Sequence, residues 1–82
     1  MNDIIQRLTP LFRDVLNDER VTITAESNAL SMGPSYDSLA HINIILAIEQ
    51  EFDIRFDFSE IVGLDSVGDM VALIGLKLAV AA

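Results

Sequence analysis

The sequence has no cysteine, a single histidine and only five basic residues in 82. Each shortage closes a class of function. Without cysteine there is no disulfide, no thiolate metal site and no cysteine nucleophile. The one histidine, His41, has none of the short-spaced partners that a zinc site needs, so no metal is expected. Arg7, Arg13, Arg20, Arg55 and Lys77 stand against thirteen acids, for a formal charge of −8. Phosphate binding needs a basic face, so nucleic acid is not an expected partner. Also missing is the run of roughly 20 apolar residues that spans a bilayer. The stretch from Met70 to Ala82 is apolar but interrupted by Lys77. Met1-Asn2-Asp3 lacks the basic start of a signal peptide, and a cytoplasmic protein without membrane insertion is expected.

What is present is apolar and periodic. At 51% hydrophobic residues, residues 1–82 suit one small domain near the lower size limit for a core without staples. From Ile4 to Leu16 the apolar residues Ile4, Ile5, Leu8, Leu11, Phe12, Val15 and Leu16 follow one helical face. Pro10 should kink this helix, or restart it with Thr9 as cap. Val21 to Tyr36 shows no sustained period and reads as a long ordered loop, pinned by Val21, Ile23, Ala29, Leu30 and Met32. After a Gly33-Pro34 turn, the longest helical pattern begins at Asp37 or Ser38 and runs to about Glu51. Leu39, Ile42, Ile45, Ile48 and Phe52 form its inward stripe, widened by Ile44 and Leu46. Phe52 to Phe56 alternates like a strand but has no strand to pair with, so it reads as an extended connector. Asp57 to Val62 makes about one turn before Gly63. Ser66-Val67-Gly68-Asp69 resembles a capping box that opens a last helix with Val67, Met70, Val71, Ile74 and Leu78 inward. Gly68 and Gly75 should each weaken it by roughly 1 kcal/mol. The fold expected is all-α, with three main helices and one short one.

Ser38 is the residue on which function turns. A serine at a helix start, preceded by an acid, is normally a cap. The same helix end, with its dipole and its N–H groups, also suits an attached phosphate. A hydrolytic role would need a base oriented by a third group. His41 lies three residues on and could approach the serine, but there is no Gly-x-Ser-x-Gly elbow, and a chain this short is not expected to form a sizeable cleft. His41 reads instead as solvent- or partner-facing. Glu49 and Glu51 do not share a helix face and read as solvated surface. Phe12, Phe52, Phe56 and Phe58 read as core and loop anchors, and Tyr36 as a residue that could line a groove. The acids from Asp37 to Asp69, opposed only by Arg55, keep the chain soluble and can steer basic partners.

Asp37-Ser38-Leu39, followed by an aliphatic helix ending Ala47-Ile48-Glu49-Gln50-Glu51-Phe52-Asp53-Ile54, resembles the acyl and peptidyl carrier proteins. Helix order and spacing match over nearly the whole chain. The resemblance implies an acyl-carrier-like four-helix bundle, non-catalytic, with 4′-phosphopantetheine on Ser38, flanked by Asp37 and Leu39. It implies attachment by a phosphopantetheinyl transferase from coenzyme A, and an acyl or aminoacyl cargo held as a thioester. Loading by a ligase or acyltransferase, delivery to downstream biosynthetic enzymes and a monomeric state follow from the same likeness. Tyr36, Leu39, Ala40, His41, Ile42, Leu46 and Glu49 are the expected partner surface. Carriers of primary fatty-acid synthesis usually have acids where this chain has Ala40 and Asn43, so the likeness points to a stand-alone carrier of a specialised pathway. The alternative is an unmodified helical interaction module in which Ser38 is only a cap, and in which Ser38→Ala costs about 1 kcal/mol.

Overall fold

A computed structural model describes residues 2–33 and 36–81, without the side chains of residues 2, 29, 30, 80 and 81. The chain order is α1 (Asn2–Leu16), α2 (Ala29–Met32), α3 (Ser38–Phe52), α4 (Phe58–Val62) and α5 (Val67–Ala81). The all-α bundle expected from the sequence is present, and α1 packs against both α3 and α5.

α1 passes through Pro10 as one helix. Thr9 does not cap a restart, because its hydroxyl donates back to the Ile5 carbonyl at 2.9 Å. Gln6 and Pro10 are both exposed, so the bond that proline omits lies on the solvent side. Leu8 and Phe12, either side of Pro10, are fully buried and anchor both halves in the core. Asn17 ends the helix with φ 53°, and the Asp18 N–H returns to the Arg13 carbonyl at 3.0 Å.

The long loop carries the first departure from expectation, the four-residue helix α2. Its signal is Asn28-x-x-Ser31: the Ser31 N–H donates to Asn28 Oδ1 at 3.0 Å, and the Asn28 N–H to Ser31 Oγ at 2.9 Å. This is the reciprocal logic of a capping box built from two short side chains. Ile23 is buried, while Val21 and Met32 pack against the core partly exposed. The side chains of Ala29 and Leu30, expected to pin the loop, are not described, and the proline of the Gly33-Pro34 turn falls outside the described residues. Gly33 itself has φ +85°, which suits glycine. Further back, the loop docks on α5: the Val67 N–H donates to the Ser27 carbonyl and the Gly68 N–H to the Ala25 carbonyl, each at 2.8 Å.

α3 buries Ala40, Ile44, Ile45, Ile48 and Phe52. Leu39, Ile42 and Leu46, assigned by periodicity to the inward stripe, are instead exposed by 68%, 44% and 51%. The helix is apolar almost all round, so spacing alone could not choose its buried face. Asp53 closes α3 in the left-handed region (φ 54°, ψ 50°), with its N–H on the Glu49 carbonyl. The connector then turns Ile54 and Phe56 inward, and Glu49 Oε2 accepts the Phe56 N–H at 2.9 Å. α4 opens with a full capping box between Asp57 and Glu60. α5 opens with Ser66 and Asp69 bonded reciprocally and sends Val67, Met70, Val71 and Ile74 into the core.

Candidate functional site

Asp37 is the N-cap of α3, and Ser38 is its first helical residue. Asp37 Oδ1 accepts the Ala40 N–H at 2.9 Å, and the Asp37 carbonyl accepts the His41 N–H at 3.0 Å. The cap role that the sequence left open for Ser38 is therefore filled by its neighbour. Ser38 is exposed, and helix geometry directs the N–H groups of Ser38 and Leu39 out of the helix end. An exposed hydroxyl at the positive end of a fifteen-residue helix suits a phosphodiester.

A cleft of about 680 Å³ opens beside Ser38. Its walls come from Met32 of α2, Ile42 of α3, Phe58, Ile61 and Val62 of α4, and Met70 of α5. A cleft of this size is not expected from a chain this short, and α2 and α4 supply much of its wall. Both charged residues on its lining, Asp37 and Asp65, are acids. Phe58, expected as an anchor, is 79% exposed on the rim. Phe58 and Val62 were missed as site residues; the signal available was two apolar residues four apart on a helix too short to bury them.

His41 also departs from expectation. Its ring is half-buried, with Nδ1 2.7 Å from the Tyr36 hydroxyl and Nε2 3.1 Å from the Ile61 carbonyl. A carbonyl only accepts, so Nε2 carries the hydrogen, and in the neutral ring Nδ1 accepts the Tyr36 O–H. Neither nitrogen is left to take a proton from Ser38, which removes the hydrolase reading. Tyr36 stacks on Phe12 with centroids 6.0 Å apart and meets His41 edge-on at 5.8 Å. Burial pushes the Tyr36 hydroxyl up to about 12, so it stays protonated at neutral pH.

Of the expected partner surface, the structure exposes Leu39, Ile42 and Leu46 and withdraws others. Ala40, 7% exposed, lies against the bundle because the cap turns that face inward, so it offers a partner almost nothing. Tyr36 and His41 are occupied with each other, and half-buried Glu49 holds the connector. Glu51 is not simply solvated: it pairs with Arg7 at 3.1 Å, and that guanidinium lies 4.1 Å from the Phe52 ring centroid. Among the described residues no group of three His, Cys, Asp or Glu could hold a metal, and no helix is long and apolar enough to cross a membrane.

The family described as the phosphopantetheine attachment site matches residues 6–74. The chain belongs to that family. A holo acyl carrier protein from Geobacter metallireducens, solved in solution by NMR, shares its fold with a TM-score of 0.83 and 37% identity. That match covers 92% of this chain and 85% of the other. The non-reducing polyketide synthase pkdA of Emericella nidulans is 30% identical over 77 residues. This is 94% of the present chain but 3% of the synthase, so the chain spans a small fraction of that relative. The chain is thus an acyl-carrier-type domain, a non-catalytic bearer of covalently attached 4′-phosphopantetheine. Carrier domains of this family receive the group from a phosphopantetheinyl transferase and work with biosynthetic enzymes.

Proposed function

We propose that Ser38 is the attachment residue and that the domain carries an acyl or aminoacyl cargo for a specialised biosynthetic pathway. The observation that carries the reading is the pairing of an exposed Ser38 at the start of α3 with the cleft at its side. The prosthetic group supplies a terminal thiol that holds cargo as a thioester, which is why a chain without cysteine can do this work. The chain's own contributions are local. Asp37 takes the third N–H of the helix, so the hydroxyl of Ser38 is not drawn into capping. Leu39 follows on the exposed side, and the helix end stabilises the phosphate charge.

The partner surface proposed is the exposed row Leu39, Ile42 and Leu46, extended by Phe58 and Val62 of α4. The partners are the transferase, a loading ligase or acyltransferase, and downstream enzymes, met by a monomeric carrier in the cytoplasm. A specialised pathway is favoured by the neutrality of this face: no acid stands between Ser38 and Ile48 on α3. The unmodified interaction module is disfavoured, since Ser38 does not serve as the cap that reading requires.

The test is incubation with a phosphopantetheinyl transferase and coenzyme A, read by intact mass. The wild-type chain gains the mass of one phosphopantetheine, and Ser38→Ala gains none while keeping its helical spectrum. No gain by the wild type, or an equal gain by Ser38→Ala, overturns the assignment.

A further inference from the structure

We propose that His41 is a positioning residue that latches α4 to the N-terminal end of α3, and so holds the wall of the cleft in place. The proposal rests on the reading that Ser38 carries the arm only for its consequence, the shielding of cargo. The latch itself is a property of the bare chain.

The need for a latch follows from α4. None of its five residues is buried, so the apolar packing that fixes α1, α3 and α5 holds it only weakly. Among the described residues, two polar side-chain ties add to the core contact of Ile61. On one side Glu60 Oε1 meets Lys77 of α5 at 2.9 Å. On the other, the Ile61 carbonyl accepts the His41 Nε2–H at 3.1 Å. The second tie is the one that faces the cleft, because Tyr36, His41 and Ile61 all line it.

His41 is well placed to bear this load. It sits one turn after Ser38, its other nitrogen is 2.7 Å from the Tyr36 hydroxyl, and Tyr36 is stacked on fully buried Phe12 of α1. The tie therefore runs from the core of α1 through Tyr36 and His41 to the backbone of α4. A side chain of equal bulk without donors fills the space and leaves α4 joined to the bundle through Lys77 and its few apolar contacts. The wall then opens more often, and cargo in the cleft meets solvent.

Amide hydrogen exchange on the unmodified protein reads the latch directly. In His41→Leu, the amides of Ile61, Gly63 and Leu64 exchange up to about tenfold faster, the factor a single hydrogen bond supplies. Those of Ile45, Ile48 and Ile74 keep their rates. His41→Gln, whose amide N–H can still reach the Ile61 carbonyl, restores most of the protection. Unchanged α4 rates in His41→Leu, or a uniform rise across all helices, overturn the latch. Because the arm is absent from this measurement, its outcome is independent of Ser38. A second arm uses protein loaded with an octanoyl-phosphopantetheine group. Hydroxylamine cleaves the thioester several-fold faster in His41→Leu than in wild type, and equal rates overturn the shielding role.

Discussion

Asp37 and Ser38 divide between them two tasks that a sequence reader would assign to either. Because Asp37 makes the capping bond to the Ala40 N–H, Asp37→Ala should destabilise the domain by about 1 kcal/mol, while Ser38→Ala should shift urea denaturation little. Acid acts on the capping box of α4. Asp57 is held below the ordinary carboxylate range by the Glu60 N–H, with the Ser59 hydroxyl next. Glu60 is lowered first by the Asp57 N–H and then by Lys77. Both folded pKa values are depressed, so the stability they contribute is present above the unfolded values. It is lost as pH falls from the ordinary carboxylate range through the lower folded values. Denaturation midpoints should fall across that window, and Asp57→Asn should flatten the profile while starting lower at neutral pH. A profile as steep in Asp57→Asn as in wild type would remove Asp57 from the account.

At the scale of elements, the helix termini are where local chemistry and packing can be separated. Gly68 and Gly75 lie on the same helix but differ in what surrounds them. A Cβ at Gly68 would stand 2.8 Å from the Ala25 carbonyl oxygen, whereas at Gly75 the nearest atom is a methyl of Ile4 at 3.9 Å. Gly68→Ala should therefore destabilise, by about 1–3 kcal/mol, as the loop is pushed from α5. Gly75→Ala should stabilise by about 0.5–1 kcal/mol. Thermal melts of the two variants should move in opposite directions. Helix starts were legible in the sequence because Asp57, Ser66 and the Asp37-Ser38 pair are local signals. α2 was not identified, since its cap uses Asn28 and Ser31 rather than the usual acid partner. Periodicity finds Ile44, Ile45, Ile48 and Phe52 on the inner face of α3 but draws the stripe too wide, for a different reason. Leu39, Ile42 and Leu46 fit a helical stripe as well as Ile44 and Ile48 do, and only the position of α1 and α5 decides between them.

For the molecule as a whole, the bundle was legible from periodicity and the family from the Asp37-Ser38-Leu39 stretch. The cleft and the histidine latch were not. Both arise from residues distant in sequence, such as Met32, Ile61 and Met70, meeting only after the helices pack. The same packing gives the carrier an apolar row beside Ser38, on a chain whose formal charge is −8. If partners read that row, Leu46→Glu should lower kcat/KM for arm transfer about tenfold or more, the loss of a buried contact. In the wild type, raising salt should change transfer by much less than this, since screening acts on exposed charges. A steep salt dependence with a silent Leu46→Glu would place recognition on the acids instead.

The central claim, that this domain holds its prosthetic arm on Ser38, is tested most directly by tandem mass spectrometry of the transferase-treated protein after proteolysis. One phosphopantetheine per chain is expected, on the peptide containing Ser38, with fragment ions placing it on that residue. The arm on any other serine, or a peptide bearing Ser38 that stays unmodified under conditions that convert a known carrier, would contradict it.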